Sequence, residues 1–212
     1  AGSTLGVILA VLASLILTAN VLVAVALLRL IQKSGSKGLY FVLNLAVADA
    51  AVGFTVTGLV ADEFSQLFHP PQIFCVLRMA FVTTSSAASI LSLILVACDR
   101  HLAIRKPFHY LQLVTGPRVA VRLAGLWLLA ATIGFLPVLA PGFQKFSNHK
   151  KCFFFGVFHP TYILTVFCVG FLPAVFLFIY LYCDMLKVAS AHVQHIQEVE
   201  QAGLSGGCPP PR

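Results

Sequence analysis

The 212-residue chain is 59% hydrophobic and 10% charged, and its 14 Lys and Arg outnumber 7 Asp and Glu for a formal net charge of +7. Its mean hydropathy of +0.93 lies outside the range of soluble domains, which excludes a water-soluble enzyme or binding module. No basic and aromatic patch on a soluble domain accompanies the surplus charge, so it is not a nucleic-acid footprint.

Five apolar runs are long enough to cross a bilayer, about 5–31, 39–66, 74–98, 119–141 and 158–183, since a spanning helix needs about 20 residues. The first lacks a basic leading segment and a small-residue cleavage site and runs too long for a secretory signal, so it reads as a retained helix. No repeat of 20–50 residues punctuates the chain. The third helix is expected to continue to 106. The fifth is expected to reach 200, because Met185, Val188, Ala189, His192, Ile196 and Val199 recur at three- and four-residue steps through 184–200. His192 and His195 lack a third donor, so they read as a solvated face rather than a metal site. The fold class is therefore all-α, a membrane protein of five transmembrane helices.

Charge placement sets the orientation. With the N-terminus outside, Arg29, Lys33, Lys37, Arg100, Arg105, Lys106, Arg118, Arg122, Lys187 and Arg212 fall on the cytoplasmic side. Only Arg78, Lys145, Lys150 and Lys151 fall outside. This asymmetry follows the positive-inside rule and suits an anionic inner leaflet.

The third run begins near Cys75 and closes on Asp99-Arg100-His101. From Cys75 to Arg100 a helix rising 1.5 Å per residue covers ~37 Å, more than the ~30 Å hydrocarbon core. One helix thus carries a cysteine at one membrane face and an acid–arginine pair at the other. Asn44-Leu-Ala-Val-Ala-Asp49 precedes this helix; Trp127, Pro137 and Pro173 follow it. Together these resemble the rhodopsin-like, class A G-protein-coupled receptors over nearly the whole chain. Ala103-Ile104 and Pro107-Phe108 match the family's following loop.

The resemblance implies roles residue by residue. Asp99, Arg100, His101 and Pro107 form the G-protein coupling switch, with His101 standing where the family has tyrosine. Physically, Arg100 can pair with Asp99 or swing toward a bound partner, two states separated by a modest gap. Asp49 and Ser89 match the family's sodium pocket, incomplete here without ligands from helix seven; no other cofactor and no metal site are implied. Asn44 is implied to bond Trp127 across helices two, three and four with Ser92 nearby, and Asn20 to pack toward Asp49. Pro173 pairs with Ile90 as part of a packing trigger. The alternative for the polar residues is general interhelical hydrogen bonding. Of the six cysteines, Cys75 and Cys152 fall on the oxidising side, and the resemblance implies a disulfide between them; two free thiols are the other reading.

For the ligand, the amine-receptor aspartate one turn below Arg78 is replaced by Val82, so no anchor for a cationic amine exists there. The implied pocket wall is Glu63, Arg78, Met79, Val82, Thr83, Ser86, Tyr162 and Thr165, roofed by Phe153, Phe154, Phe155 and Phe158. Such an apolar tunnel with polar groups at its mouth suits an acyl chain with a polar head. Segments 5–15, 77–83, 124–128, 157–160 and 182–187 are similar to the lipid-amide branch of the family. That similarity implies a lipid agonist of the fatty-acid ethanolamide or lysophospholipid type, the stimulatory G protein and cyclic AMP, and residence in the plasma membrane; the oligomeric state is left open. Seven helices are implied where five are seen, so the expectation is a truncated receptor, incompetent in signalling by itself. Residues 201–212 would be flexible third-loop sequence. A five-helix transporter or channel subunit is the main rival, but only Asp49 lies deep and no half-helix repeat is seen. No Gly-x-Ser-x-Gly or His-Glu-x-x-His motif supports an intramembrane enzyme. A non-signalling chain acting by association with full-length receptors is a third reading.

Overall fold

The computed structural model describes residues 2–64, 71–145, 152 and 154–206. Phe153, Lys150, Lys151 and residues 207–212, which entered the sequence expectations, lie outside the described residues.

Among the described residues eight α-helices follow in order: α1 (Gly2–Ser34), α2 (Leu39–Phe64), α3 (Gln72–Arg105), α4 (Pro107–Leu113), α5 (Gly116–Leu139), α6 (Phe154–Val157), α7 (Pro160–Thr165) and α8 (Leu172–Ser205). A π-helical segment, Val166–Phe171, joins α7 to α8 into one long rod. Five helical stretches among the described residues are long and apolar enough to cross a membrane: Thr4–Ser34, Leu39–Ala61, Gln72–Arg105, Gly116–Leu139 and Pro160–Ser205. Spans inferred from apolar runs miss helical turns that are polar or begin with proline. Thus α5 starts at Gly116, with Pro117 in its first turn, and α7 starts on Pro160. Proline is at home there because its missing N–H would have no helical partner. At the other end α8 carries on through Gln201–Ser205, into the stretch expected to be flexible, and stops at Gly206. Gln201 and Ala202 favour helix, and the poor helix former Gly206 ends it, its backbone N–H bonding the Ala202 carbonyl.

The core is central in the bundle and centred on α3. It packs against α2, α5 and α8, while α1 packs on α2. The faces of α1 and α8 turned away carry large exposed apolar side chains such as Leu15, Leu22, Phe176 and Ile179, as a lipid-facing surface requires. Without a hydrophobic driving force between helices in lipid, close packing of small residues does the holding. Ala48, Ala88, Leu126 and Ala130 form one such buried cluster between α2, α3 and α5. At Gly134 the approach is closest: a Cβ there would meet the Thr84 hydroxyl, the Thr84 backbone nitrogen and the Ala80 carbonyl. Any larger residue would push α5 off α3.

Candidate functional site

At the cytoplasmic end of α3 the chain turns sharply, because Pro107 cannot continue the ladder and biases Lys106 away from helical angles. Lys106 caps α3 by donating its backbone N–H to Leu102 at 2.9 Å, and Pro107 opens α4. That turn brings Tyr110 back over the end of α3. The Asp99 side chain is almost wholly buried; it accepts Arg100 Nη2 at 2.6 Å and Nε at 3.1 Å, and the Tyr110 hydroxyl at 3.0 Å. Arg100 also donates to the Tyr110 oxygen at 3.0 Å and lies over its ring, 5.9 Å from the centroid. Burial, with help from the hydrogen bond to Asp99, pushes the Tyr110 phenol above its ordinary pKa. It therefore stays a neutral donor at physiological pH. Gly38 closes this triad from the loop between α1 and α2. A Cβ on Gly38 would fall against the Tyr110 hydroxyl, 2.7 Å from Arg100 Nη2 and 3.1 Å from Asp99 Oδ2.

His101 points the other way. Its Nε2 lies 2.6 Å from Asp184 Oδ2 on α8, and Arg105 reaches the same carboxylate with Nε at 2.9 Å and Nη2 at 2.5 Å. Neither Asp184 nor Tyr110 was singled out from the sequence. Residue types alone carry no signal for contacts that need the α3–α4 turn and the α3–α8 pairing to exist.

Deeper in the bundle, the Trp127 indole N–H donates to Asn44 Oδ1 at 2.7 Å. Asn44 Nδ2 donates to Ser92 Oγ at 2.7 Å, and Ser92 donates to the Ala88 carbonyl at 2.6 Å. One asparagine thereby ties α5, α2 and α3 together with both its amide oxygen and its amide nitrogen bonded, as a dry interior favours. Ser89 Oγ donates to Asp49 Oδ1. Asn20 bonds the Ile16 carbonyl of its own helix at 2.8 Å rather than the Asp49 carboxylate.

At the outer end, Cys75 and Cys152 are joined in a disulfide with Cα atoms 5.7 Å apart. Around it Met79, Val76, Val157, Phe158 and Tyr162 form a buried cluster, with Phe154 packed on its edge. Phe158 stands edge-on to Phe154 and Tyr162 at 4.9 and 5.2 Å, the spacing such rings favour. Pro137 inside α5 has no N–H to give the Ile133 carbonyl, and Tyr162 supplies the missing donor at 2.6 Å. The Pro137 carbonyl in turn accepts from Gln144 at 2.8 Å. Tyr162 is therefore a brace between α7 and α5, with its hydroxyl occupied and its surface 1% exposed. Thr83 and Thr165 likewise donate to backbone carbonyls one turn back, Met79 and Thr161. Glu63, Arg78, Val82 and Ser86 are half-buried. The Arg78 stem lies across α2 at Gly58, whose Cβ position is 3.8 Å from Arg78 Cδ and Nε. Pro173 sits in the first turn of α8, directly after the π segment. The widened turn sets the register in which Leu181 is buried while Tyr180 and Tyr182 are exposed.

A membrane bundle with a disulfide-pinned outer end and a buried aspartate paired to a half-exposed arginine closing its third helix is a receptor architecture. The match agrees: the model of the 7 transmembrane receptor (rhodopsin family) covers residues 19–204, and the chain belongs to that family. It is 52% identical over 209 residues to the human glucose-dependent insulinotropic receptor, covering 98% of this chain and 62% of the relative. The rat receptor of the same name is likewise 52% identical, with 45% of its length covered. The rat adenosine receptor A2b is 33% identical over 216 residues, 91% of this chain and 62% of that protein. The chain thus spans 45% to 62% of the length of these relatives. It is a multi-pass membrane protein and not an enzyme.

Proposed function

We propose that the chain forms the first five helices of a plasma-membrane receptor for lipids of the fatty-acid ethanolamide or lysophospholipid type, coupled to the stimulatory G protein. The observation carrying this reading is the 52% identity over 98% of the chain to receptors named as glucose-dependent and insulinotropic. The lipid class is supported by the chemistry of the outer half. Val82 offers no anion to a protonated amine, and the neighbouring walls are apolar and aromatic, with Arg78 near the mouth to meet an amide or phosphate head. Asp99, Arg100 and His101 would serve the G protein, with Asp49 and Ser89 as the part of a sodium site that these helices supply.

The test is photo-crosslinking of a diazirine-bearing fatty-acid ethanolamide to a chimera in which this chain is continued by the part of the human relative beyond the match. Labelling that maps to α3 and is competed by unlabelled ethanolamide supports the reading. Labelling displaced by adenosine or serotonin instead would assign the pocket to another ligand class.

A further inference from the structure

The end of α3 carries two polar constellations that face opposite ways, and only one involves the switch arginine. Asp99, Arg100 and Tyr110 form a closed group under Gly38. His101 and Arg105, one turn apart on α3, converge instead on Asp184 of α8. The spacing is what a helix dictates: residues four apart share a face. On α8 the same logic places Asp184 one turn beyond Leu181, the buried residue through which that helix meets the bundle. Apolar contact thus gives way to a polar clasp at the point where α8 leaves the membrane.

We propose that His101 and Arg105 hold Asp184 as a latch that sets the direction in which the cytoplasmic extension of α8 leaves the bundle. Asp184 is a positioning residue for the coupling face. An isolated exposed ion pair contributes little, but this one differs in geometry. The carboxylate takes three donors, two of them the parallel N–H groups of one guanidinium, and such forks fix orientation as well as charge. Its side chain is only 16% exposed. Beyond the latch, Met185 to Ser205 continue as helix; Met185 and Val188 are half-buried and every side chain from Ala189 onward is exposed among the described residues, so this contact is the last polar hold before the extension leaves the bundle. A tyrosine at position 101 would carry its hydroxyl farther from the backbone than the imidazole Nε2, so histidine suits the short reach to Asp184. The functional meaning rests on the receptor reading, in which the extension meets the G protein; the geometric statement does not.

The experiment measures distance rather than signalling, so its failure and the failure of the receptor reading are separable. Spin labels go on Gln112→Cys in α4 and Gln201→Cys in α8, in the full chain in lipid nanodiscs, with Cys98, Cys168, Cys183 and Cys208 replaced by serine and the disulfide kept. Double electron–electron resonance gives the distance distribution. The residues between Asp184 and Gln201 form a lever of ~25 Å, so a swing of about 10° at the latch moves the label by ~4 Å. Asp184→Asn should shift or broaden the distribution by that amount, and Asp184→Glu should largely restore it. The paired change His101→Gln with Arg105→Gln cuts the same contacts from α3 and should reproduce the shift, which covers the case in which Asp184→Asn does not fold. Trp127 emission, reporting on a distant part of the bundle, should be unchanged throughout. Distributions that match the unmodified chain in every folded variant would overturn the latch.

Discussion

The hydroxyl of Tyr162 should matter only because position 137 is proline. Proline leaves the Ile133 carbonyl without its helical donor, and Tyr162 fills that place at 2.6 Å from a site 1% exposed. Tyr162→Phe keeps the ring and its edge contacts with Phe158 but orphans the carbonyl. An unsatisfied buried acceptor costs about 1–3 kcal/mol, whereas interhelical hydrogen bonds in membranes average about 0.6 and reach about 1.7 kcal/mol. A short bond to a carbonyl that has lost its helical donor belongs near the top of the membrane range, so the loss should be about 1.5 kcal/mol. In a Pro137→Ala background the restored backbone N–H can serve Ile133, and Tyr162→Phe should then cost less than about 0.5 kcal/mol, a coupling of roughly 1 kcal/mol. The small void left by Pro137→Ala is common to both arms and cancels. Unfolding in mixed micelles by added dodecyl sulfate can be followed through the fluorescence of the single tryptophan. Equal losses in the two backgrounds would show that the Tyr162 hydroxyl has no special relation to the freed carbonyl.

Asn44→Leu removes the acceptor for Trp127 and the donor to Ser92 at once. It should destabilise by about 1–3 kcal/mol and shift Trp127 emission, and adding Trp127→Phe should cost much less than in the parent, as a double-mutant cycle reads. Gly38→Val should displace Tyr110 and open the Asp99–Arg100 pair; in the chimera with the human relative, ligand-independent cyclic AMP should rise, and Tyr110→Phe should do the same. Cys75→Ser should release the outer loop; the chain-entropy limit for a closure of 77 residues is about 4.5 kcal/mol, and the check is a lower midpoint in the same micelle titration, with no further loss on adding Cys152→Ser. Arg78→Ala should weaken the response to lipid agonists about tenfold to a hundredfold at matched surface expression, the equivalent of one charge-assisted hydrogen bond of roughly 1.5–3 kcal/mol; unchanged potency would remove Arg78 from the site.

The spans were legible because apolar runs of this length have few other uses; the bridge was legible through the family resemblance, with compartment logic only placing Cys75 and Cys152 on the same outer side. The bonding of Asn44 with Trp127 and Ser92 was likewise implied by the resemblance; the rarity of polar atoms in these helices says only that such groups need partners. Contacts made by returning chain were not legible. Tyr110 reaches Asp99 only because Pro107 reverses the backbone, and Gly38 matters only because that reversal leaves no room for a side chain. Asp184 lies far along the chain from His101 and Arg105, and its register depends on the π segment at Val166–Phe171, which no periodicity of hydrophobic residues announces. Tyr162 had the composition of a pocket wall; that it serves a proline on a different helix is a matter of topology. The helical continuation through Ser205 shows a related limit, since one glycine at 203 weakens a helix without ending it.

The most direct test of the receptor account is cyclic AMP in cells expressing the chimera at the surface and exposed to a fatty-acid ethanolamide. The account predicts a saturable rise that is lost in Arg100→Ala, retained in a Cys98→Ser control, and absent with adenosine or serotonin. No rise with any ethanolamide or lysophospholipid, from a chimera shown to reach the surface and to bind G protein when agonist-independent variants such as Gly38→Val are introduced, would contradict it.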